Sequence, residues 1–354
     1  MAIMSCAVYS NAPKYIASHY WADRSFAAKT VAVAADRHIL VTPQVVEVDV
    51  GGNSLTAPGS VAIDLNVVAN WDRVTPIDYT AGAARAGKDF YVYLCVPTAG
   101  DRPILVLSAN STYPAGYTAS NSRKVGGFPC VCADYGTIVG HPLSGYVAGD
   151  IIPNGVWDLK FRSESGANEG LAYDDRSGHW AYIYDASQVS AGVPGSVFGG
   201  TLWVNVNWMD AVDAARAVKM SLPKDCVFTS IATGSNEGTN IAGTAQWSPF
   251  TAGGHSDTLG RRMVSRCACE ECCGAIWQWL DDGSYRYDAL PFAWLDPGGG
   301  KGRLYLEGYD AKLVAGGLWA SGALCGSRSR NATNYRWAAN SILGFRLVAR
   351  SITG

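Results

Sequence analysis

Residues 316–341 read Gly316-Gly317-Leu318-Trp319-Ala320-Ser321-Gly322-Ala323-Leu324-Cys325-Gly326-Ser327-Arg328-Ser329-Arg330-Asn331-Ala332-Thr333-Asn334-Tyr335-Arg336-Trp337-Ala338-Ala339-Asn340-Ser341. Neither helical nor strand periodicity organises this stretch for more than a few residues. Rigid aromatic side chains supply contact area, and Ser, Gly and Asn supply adaptable hydrogen bonds, a mixture that is typical of binding surfaces. The stretch therefore predicts an irregular loop with a binding role.

The composition of the whole chain predicts short strands and few helices. The chain has 354 residues, of which 48% are hydrophobic and only 16% are charged, and it contains 40 Gly, 18 Tyr and 12 Trp. Aromatic residues favour strands, and frequent glycine indicates many turns. A chain of this length and hydrophobicity can bury a substantial core, so we expect two folded domains.

Charge and hydropathy exclude two classes of partner. The net charge is −2, and no block of Lys and Arg provides the electrostatic surface that nucleic acids or anionic membranes require. Residues 1–24 lack a basic start followed by an apolar run, and three glycines break the longest apolar tract, Leu313 to Cys325. We therefore expect no signal peptide, no membrane insertion and no nucleic-acid partner.

The first part of the chain has a β pattern. Alternating runs separated by turn residues predict strands at Val31–Ala34, His38–Val41, Gln44–Val50 and Phe90–Leu94. Residues 140–153 are rich in Gly and Pro, which places a domain boundary there. The prediction is a β-rich domain over residues 1–150 and a second domain over residues 151–354.

The second domain contains one clear helix signal. Asn207 is a predicted N-cap, and the helix should continue until Pro223, with Trp208, Ala211, Val212, Ala215 and Val218 on its apolar face. A loop is predicted around residues 234–240. Strands are predicted at His179–Tyr184, at Ala275–Leu280 before a turn at Asp281–Gly283, and at Gly344–Ala349.

Five motifs in the second domain occur in the order found in one family. They are Trp208–Ala211, Leu222–Pro223, Gly274–Trp279, Ala315–Trp319 and Gly344–Val348. Together they resemble the formylglycine-generating-enzyme branch of the C-type lectin fold, over roughly residues 153–350. The resemblance implies an α+β chain, in which an all-β N-terminal domain precedes a C-type-lectin-like domain with few helices and many short strands.

Within that branch, residues 316–350 resemble the variable region of proteins that a diversity-generating retroelement diversifies, a group that includes phage tropism determinants. The runs Cys325–Ala332 and Asn334–Trp337 carry the resemblance. In such systems a reverse transcriptase rewrites adenines of a template repeat, so that varied positions alternate with a fixed framework.

The resemblance implies two interleaved sets of residues. The diversified candidates are Leu318, Ala320, Ser321, Leu324, Thr333, Asn334, Tyr335, Ala338, Asn340, Ile342 and Leu343, and the framework candidates are Trp319, Arg328, Arg330, Arg336 and Trp337. Of the framework, Trp319 and Trp337 are also candidate ligand anchors, together with Tyr335. The alternative for Leu318, Leu324 and Ile342 is ordinary core packing, since aliphatic residues are more often buried than exposed.

A cysteine cluster is the strongest candidate for a different chemistry. Cys267, Cys269, Cys272 and Cys273 include a zinc-like two-residue gap, but no second pair stands at a matching distance. Three alternatives remain for the cluster: structural thiols, a disulfide to Cys325, or a metal. Formylglycine-generating enzymes use two reactive cysteines near the chain end, where this chain has only Cys325, so we expect neither oxidase activity nor a cofactor.

Other polar motifs are typical of turns and loops. His255-Ser256-Asp257 are contiguous, whereas a catalytic triad is assembled from separate parts of a fold. Residues 298–302 lack the spacing of a phosphate-binding loop, and the acidic pairs at 174–175 and 281–282 are common turn chemistry. Nothing in the sequence indicates the calcium ligands of sugar-binding lectins.

These observations predict a non-enzymatic receptor-binding protein of a phage or virus particle. We expect the second domain to recognise a host-surface protein or glycan, the first domain to attach to other virion proteins, and three copies to assemble for avidity. The expected location is the virion tail, and the alternative is the host cell surface or cytoplasm. The competing functions are an oxidase of the formylglycine-generating type and a structural component without diversification.

Overall fold

A computed structural model describes residues 37–42, 46–50, 53–57, 61–97, 103–158, 161–243, 245–286, 293–295, 304–306 and 309–353. These residues belong to two compact units, the first comprising residues 1–175 and 350–354 and the second residues 176–349. The unit boundary therefore falls 25 residues after the boundary that the Gly- and Pro-rich stretch predicts (175 − 150), because residues 151–175 pack with the first unit.

The first unit is composed mainly of strands. They are β1 (Ile39–Thr42), β2 (Val46–Val50), β3 (Asn53–Ala57), β4 (Val61–Asp64), β5 (Asp89–Cys95), β6 (Ile104–Ser108), β7 (Ser122–Pro129), β8 (Trp157–Asp158), β9 (Phe161–Ser163) and β10 (Leu171–Asp174). Its helical turns are η1 (Val68–Asn70), α1 (Gly82–Arg85) and η2 (Pro153–Gly155). The strands predicted at residues 38–41, 44–50 and 90–94 correspond to β1, β2 and β5, whereas the strand predicted at residues 31–34 lies outside the described residues.

The core of the first unit lies against an antiparallel sheet in the order β6-β5-β7-β8. Strands β6 and β7 flank β5 and pair with it through registers such as Tyr93 with Val106 and Phe90 with Phe128. Trp71 meets Phe90 edge to face at 5.1 Å, and its indole nitrogen donates to the Leu65 carbonyl oxygen at 2.8 Å. Aromatic packing with a satisfied indole stabilises this core.

The second unit has many short strands and two helices among its described residues. Its strands are β11 (His179–Tyr182), β12 (Ser187–Ser190), β13 (Val193–Gly195), β14 (Trp277–Arg286), β15 (Ala293–Leu295), β16 (Leu304–Leu306), β17 (Tyr309–Gly316), β18 (Gly326–Tyr335) and β19 (Leu343–Gly344). Its helices are α2 (Trp208–Ala217), α3 (Asp225–Ile231) and the 3-10 turn η3 (Gly322–Leu324). The last strand, β20 (Val348–Thr353), begins in this unit and ends in the first, where Ser351 pairs with Ser163 of β9.

Helix α2 begins where the sequence predicts it and ends earlier. The Asn207 side chain accepts a hydrogen bond from the Asp210 amide at 2.9 Å, which confirms the N-cap. Ala211, Ala214 and Ala215 are buried. The helix ends at Ala217 rather than at Pro223, because Lys219 adopts a left-handed conformation with φ of 57°.

The sequence did not predict helix α3, whereas the loop predicted around residues 234–240 is confirmed. Two predictions for local structure were wrong. The predicted turn at Asp281–Gly283 is a bulge inside β14, since Trp279 pairs with Val314 and Gly283 with Lys312. The predicted strand at residues 344–349 is interrupted at Phe345, Arg346 and Leu347, all 0% exposed, and strand structure resumes at Val348.

Residues 316–341, predicted to be an irregular loop, contain the ten-residue strand β18. This strand forms the edge of a sheet with the order β18-β17-β14-β19. Bulges in β18 break the alternation that would have revealed it, since three additional residues separate the pair Ala315–Arg330 from the pair Gly316–Gly326.

Candidate functional site

The register of the sheet places the predicted binding residues in two groups. Gly316 pairs with Gly326, Gln278 with Ala315 and Trp277 with Leu343, and Leu318 forms a bridge with Ala275. The turn at residues 318–326 and the segment before β19 thus share one end of the sheet. At the other end, Tyr335 pairs with Ala311. The two ends of β18 are about 17 Å apart, since their partners on β17, Ala311 and Gly316, are five residue steps apart.

The first group begins with a buried tryptophan. Trp319 is 8% exposed, and its ring meets Trp247 at 6.0 Å and Phe250 at 5.9 Å, both edge to face. Its amide donates to the Ala275 carbonyl oxygen at 3.0 Å, and its own carbonyl accepts from the Asn240 side chain. Trp319 therefore holds the turn in place, and its burial favours a structural role over that of the predicted ligand anchor.

Beyond Trp319 the turn becomes exposed. Leu324 is 75% exposed, Ala320 is exposed, and Leu318 and Ser321 are half-buried. The Leu318 amide donates to the Ser321 hydroxyl oxygen at 3.2 Å, and the Cys325 thiol donates to the Leu318 carbonyl oxygen at 3.4 Å. The turn is thus tied to itself through the backbone, while Leu324 faces solvent.

Strand β18 is anchored from outside the segment by helix α3. The Arg330 guanidinium donates to the Thr229 hydroxyl oxygen at 2.7 Å, is paired with the Asp225 carboxylate, and lies over the Phe228 ring at 5.0 Å. Only 16% of the Arg330 side chain is exposed. Arg330 therefore has the framework position that the resemblance implies, because its bonds fix the strand against the helix.

Arg336 is a second anchor, at the opposite end of β18. Its guanidinium pairs with the Asp310 carboxylate and lies 5.9 Å from the centre of the Trp208 ring. The Lys312 ammonium lies over the same ring at 4.0 Å, and the Trp208 indole donates to the Leu280 carbonyl oxygen at 2.8 Å. These cation–π contacts fix the chain where it leaves the edge strand.

The second group of predicted residues surrounds this anchor. The rings of Tyr335 and Trp337 stack at 5.2 Å with an angle of 17° between their planes, and both are half-buried. Thr333 is exposed, and its amide and hydroxyl donate to the Asn331 side chain at 2.9 and 2.6 Å. Asn334 and Ala338 are half-buried beside them. The stacked rings present a flat aromatic face at the surface.

The return segment divides between surface and core. Asn340 is exposed, and its side chain accepts from the Ile342 amide at 3.1 Å, while Ile342 is half-buried. Leu343 is 1% exposed and pairs with Trp277 in the sheet. The burial of Leu343 is typical of a core residue and favours packing over the predicted ligand contact.

Arg328, which the resemblance implies to be framework, differs from the other two framework arginines. It is exposed, and the described residues provide no hydrogen-bond or ion-pair partner for it, unlike Arg330 and Arg336. The segment contains three arginines in nine residues, and residue type alone cannot separate the two that are held by acidic partners from the one that faces solvent.

Several residues that shape this surface lie outside residues 316–350. The Glu237 carboxylate accepts from the Ser327 amide at 3.1 Å and from its hydroxyl at 2.6 Å. Trp247 and Phe250 flank Trp319, and the side chain of Asn240 binds its carbonyl oxygen. No local pattern in the sequence predicted these roles, because these residues lie some 70 to 90 positions away from Trp319 and Ser327 along the chain.

The cysteine cluster is part of the core behind the surface. Cys267, Cys269, Cys272 and Cys273 are buried and pack against Val227, Phe228, Ile231 and Leu280. All four, and Cys325, are free thiols. Burial raises the pKa of Cys325 to about 11, so this group is held as the neutral thiol. Of the three alternatives, the packing favours structural thiols.

A buried polar network continues from the cluster. Glu270 receives two hydrogen bonds from Arg262, at 2.9 and 2.7 Å, and Glu271 receives the Gly253 amide at 3.0 Å and faces the His255 ring at 2.5 Å. Asp257 binds Arg261 and the Thr239 hydroxyl instead of His255. The motif at residues 255–257 is thus a structural loop whose side chains diverge, as the sequence predicts.

Membrane-spanning helices and metal-binding clusters are both absent from the described part of the chain. None of its helices is long and apolar enough to cross a membrane. Within the same residues, no three His, Cys, Asp or Glu side chains are arranged to hold a metal ion. The glycine-rich stretch at residues 298–302 lies outside the described residues.

Comparisons with known proteins agree with the motifs. Residues 48–158 match the family described as the Mtd second domain. The chain is 25% identical over 275 residues to the tail fiber receptor-binding protein of Bordetella phage BPP-1, which covers 71% of this chain and 68% of that protein.

Solved structures extend the likeness to the fold. The Major Tropism Determinant M1 variant superposes with a TM-score of 0.72 and 20% identity, covering 89% of this chain and 81% of its own. The U1 variant gives a TM-score of 0.70 and 21% identity with the same coverage. The likeness confirms the predicted fold, a β-rich first part followed by a C-type-lectin-like part with few helices.

Proposed function

We propose, from this relationship to the tropism determinants, that the chain is a receptor-binding protein of a phage tail. The observation that carries the proposal is the sequence likeness to a tail fiber receptor-binding protein over 275 residues, which spans both units of the chain. In this role the protein binds a host-surface ligand and catalyses no reaction. The exposed parts of residues 318–342 provide the contacts.

The contacts of the surface explain how it tolerates change. Arg330, Arg336 and Trp319 bind residues of α3, β17 and the loop at residues 240–250, so the backbone of the segment is held from outside. Apart from Cys325 and Gly326, which are buried, the residues between these anchors are exposed or half-buried. Replacing an exposed side chain typically changes stability by within about ±0.5 kcal/mol, so the surface can vary without loss of the fold.

The proposed variable set keeps the predicted residues that are exposed or half-buried and adds Arg328. It contains Leu318, Ala320, Ser321, Leu324, Arg328, Thr333, Asn334, Tyr335, Ala338, Asn340 and Ile342. Trp319, Arg330 and Arg336 form the framework, and Trp337 stacks against the Tyr335 ring. A retroelement that rewrites adenines would change the first set and preserve the second.

The first unit has a different role in this proposal. We assign it to attachment within the virion because it matches a domain of the tropism-determinant family. Three copies would present three variable surfaces, and multivalent contact raises avidity without new contacts at any one site. The ligand class is a host-surface protein or glycan.

The oxidase alternative does not fit the residues of the segment. An enzyme of that type needs two reactive thiols, and residues 316–350 contain only Cys325. The Cys325 thiol is buried, donates to the Leu318 carbonyl oxygen, and has a pKa raised to about 11. Oxygen-dependent conversion of a cysteine peptide by the purified chain would establish the oxidase and refute our assignment.

The genomic locus provides the test of diversification. A reverse transcriptase gene and a noncoding repeat should lie nearby, and the repeat should match the codons for residues 316–350 except at adenines. A locus without them would leave a structural tail component or a non-diversified binder.

Recognition itself is tested with labelled protein and a panel of bacteria. We expect saturable binding to a subset of strains, and a variant with Leu324→Ser and Tyr335→Ser should lose it while keeping its melting temperature. Arg216→Ala, an exposed change on α2, is the matched control. Equal binding by all three proteins would contradict the assignment of the surface.

A further inference from the structure

The three-residue bulge of β18, residues 327–329, is held by hydrogen bonds on both sides. The Ser327 amide and hydroxyl donate to Glu237, and the Ser329 hydroxyl donates to the Leu324 carbonyl oxygen. The Gly238 amide donates to the Cys325 carbonyl oxygen at 2.9 Å, just before the bulge. These bonds fix the bulge to Glu237 and to the turn that contains Leu324.

Arg330 closes it on the side of the strand. One terminal nitrogen of its guanidinium donates to the carbonyl oxygens of both Ser327 and Ser329, at 3.0 and 2.9 Å. The other nitrogens bind Asp225 and Thr229 of α3. All five N–H groups of Arg330 are thereby used, so the bulge is fixed to a helix of the core.

Gly326 lies in close contact with the Glu237 carboxylate. A Cβ atom at this position would collide with a carboxylate oxygen of Glu237. A backbone with a close-fitting partner on each side does not need to be ordered when a ligand binds, which lowers the entropic cost of binding.

The residue at the centre of this bulge is Arg328. Its side chain is exposed, and the part of the chain that the structure describes provides no acidic partner for it. Leu324 lies in the neighbouring turn and is 75% exposed, and its own carbonyl oxygen accepts a hydrogen bond from the Ser329 hydroxyl. A free guanidinium and an exposed aliphatic side chain thus stand on connected, rigid backbone.

We propose that Arg328 is a specificity-determining contact, which binds the carboxylate of an acidic residue in a protein receptor while Leu324 packs against a neighbouring apolar side chain. The inference rests on the proposed receptor-binding function and names its ligand chemistry. A guanidinium binds a carboxylate with two parallel hydrogen bonds. Leu324 favours a peptide over a glycan, because an aliphatic side chain gains by covering apolar surface and not sugar hydroxyls.

The experiment selects ligands without knowledge of the host. A library of random peptides displayed on yeast is sorted against the labelled full chain. We expect enrichment of peptides in which Asp or Glu stands beside an apolar residue. Arg328→Ala should weaken the binding of these peptides by about tenfold to a hundredfold, the effect of losing a hydrogen bond to a charged group.

Two further variants make the test specific. Arg328→Glu should bind poorly to the selected peptides and regain affinity when their acidic residue is changed to Lys. Arg216→Ala, which removes an exposed charge on α2, should bind them like the parent chain. Each variant should keep the parent melting temperature, since neither arginine is buried.

Several results would overturn the inference. They are the absence of enrichment, enriched peptides without acidic residues, equal losses for Arg328→Ala and Arg216→Ala, or stronger binding to heparin than to any peptide. If the chain stains bacteria and Arg328→Ala stains them equally, the inference falls and the proposed function stands. If acidic peptides are selected but no bacterium is bound, the subsite is supported and the receptor-binding role is contradicted.

Discussion

Two irregular segments of the C-terminal region each carry an arginine at their centre, and they use it in opposite ways. Arg346 lies at the centre of residues 345–347, which separate β19 from β20, and its side chain is 0% exposed. Arg328 occupies the bulge at residues 327–329 and is exposed. The difference shows that a break in strand pairing can either turn a charge into the core or hold it out to solvent.

The contacts of the two side chains explain the contrast. Arg346 donates to the Gln278 side chain at 3.2 Å, to two backbone carbonyl oxygens at 2.5 and 2.6 Å, to Asp185 at 2.8 Å and to the Glu270 carbonyl oxygen. All five of its N–H groups are satisfied, as burial requires. Arg328 is exposed instead, and the described residues provide no hydrogen-bond or ion-pair partner for its guanidinium.

Removing the buried arginine should have the largest effect. Arg346→Met leaves Asp185 buried without its cation, and breaking a buried pair in this way costs about 3–5 kcal/mol. We expect a large fall in the free energy of unfolding, measured by denaturant titration. The control Arg216→Met, on the exposed face of α2, should change it little, and an equal change in both variants would refute the role of the buried network.

Removing the anchor of the bulge should have an intermediate effect. Arg330→Ala loses the bonds to Asp225, Thr229 and two carbonyl oxygens, and we expect a loss of about 1–3 kcal/mol. Hydrogen exchange should report the cause, because the Ser327 amide should exchange faster in this variant. Unchanged exchange would show that Glu237 alone holds the bulge.

The buried side of the comparison also predicts a dependence on pH. Burial by itself lowers the pKa of His255, but the hydrogen bond and charge of Glu271 outweigh it, and the pKa is raised above its ordinary 6.5. Arg262 opposes this rise and Glu270 adds to it. A raised pKa in the folded state stabilises the protein below the unfolded value and loses that contribution as pH rises through the folded value.

The free energy of unfolding should therefore contain a component that declines above pH 6.5. Glu271→Gln keeps the shape of the side chain and removes its charge, so it should abolish this component. Denaturant titrations of both proteins across neutral pH provide the measurement. A parallel pH dependence in the two proteins would show that His255 does not titrate against Glu271.

The smallest effect on stability is expected on the exposed side. Leu324→Ala removes a side chain that is 75% exposed, and we expect the free energy of unfolding to change by within about ±0.5 kcal/mol. Thermal unfolding measures it. A loss of about 2–5 kcal/mol, which is usual for a buried leucine, would return Leu324 to the core and remove it from the binding surface.

The sequence predicted the features that depend on local order along the chain. The N-cap at Asn207, strands β1, β2 and β5, and the motif order of the second domain all follow from neighbouring residues. It failed at β18, at the end of α2 and at residues 345–347, where bulges, a left-handed residue and a run of buried side chains override periodicity. The sequence likewise did not reveal that Leu343 is buried and that Arg328 is exposed.

By itself, then, the sequence determined that the chain has a β-rich part followed by a C-type-lectin-like part, and it is the basis for proposing residues 316–350 as the binding surface. Only the tertiary structure decided which side chains of that segment face solvent. Exposure depends on partners such as Glu237, Asp225 and Asp185, which lie some 90 to 160 residues from the groups they bind. Burial and ion pairing are properties of these distant neighbours, and no local pattern encodes them.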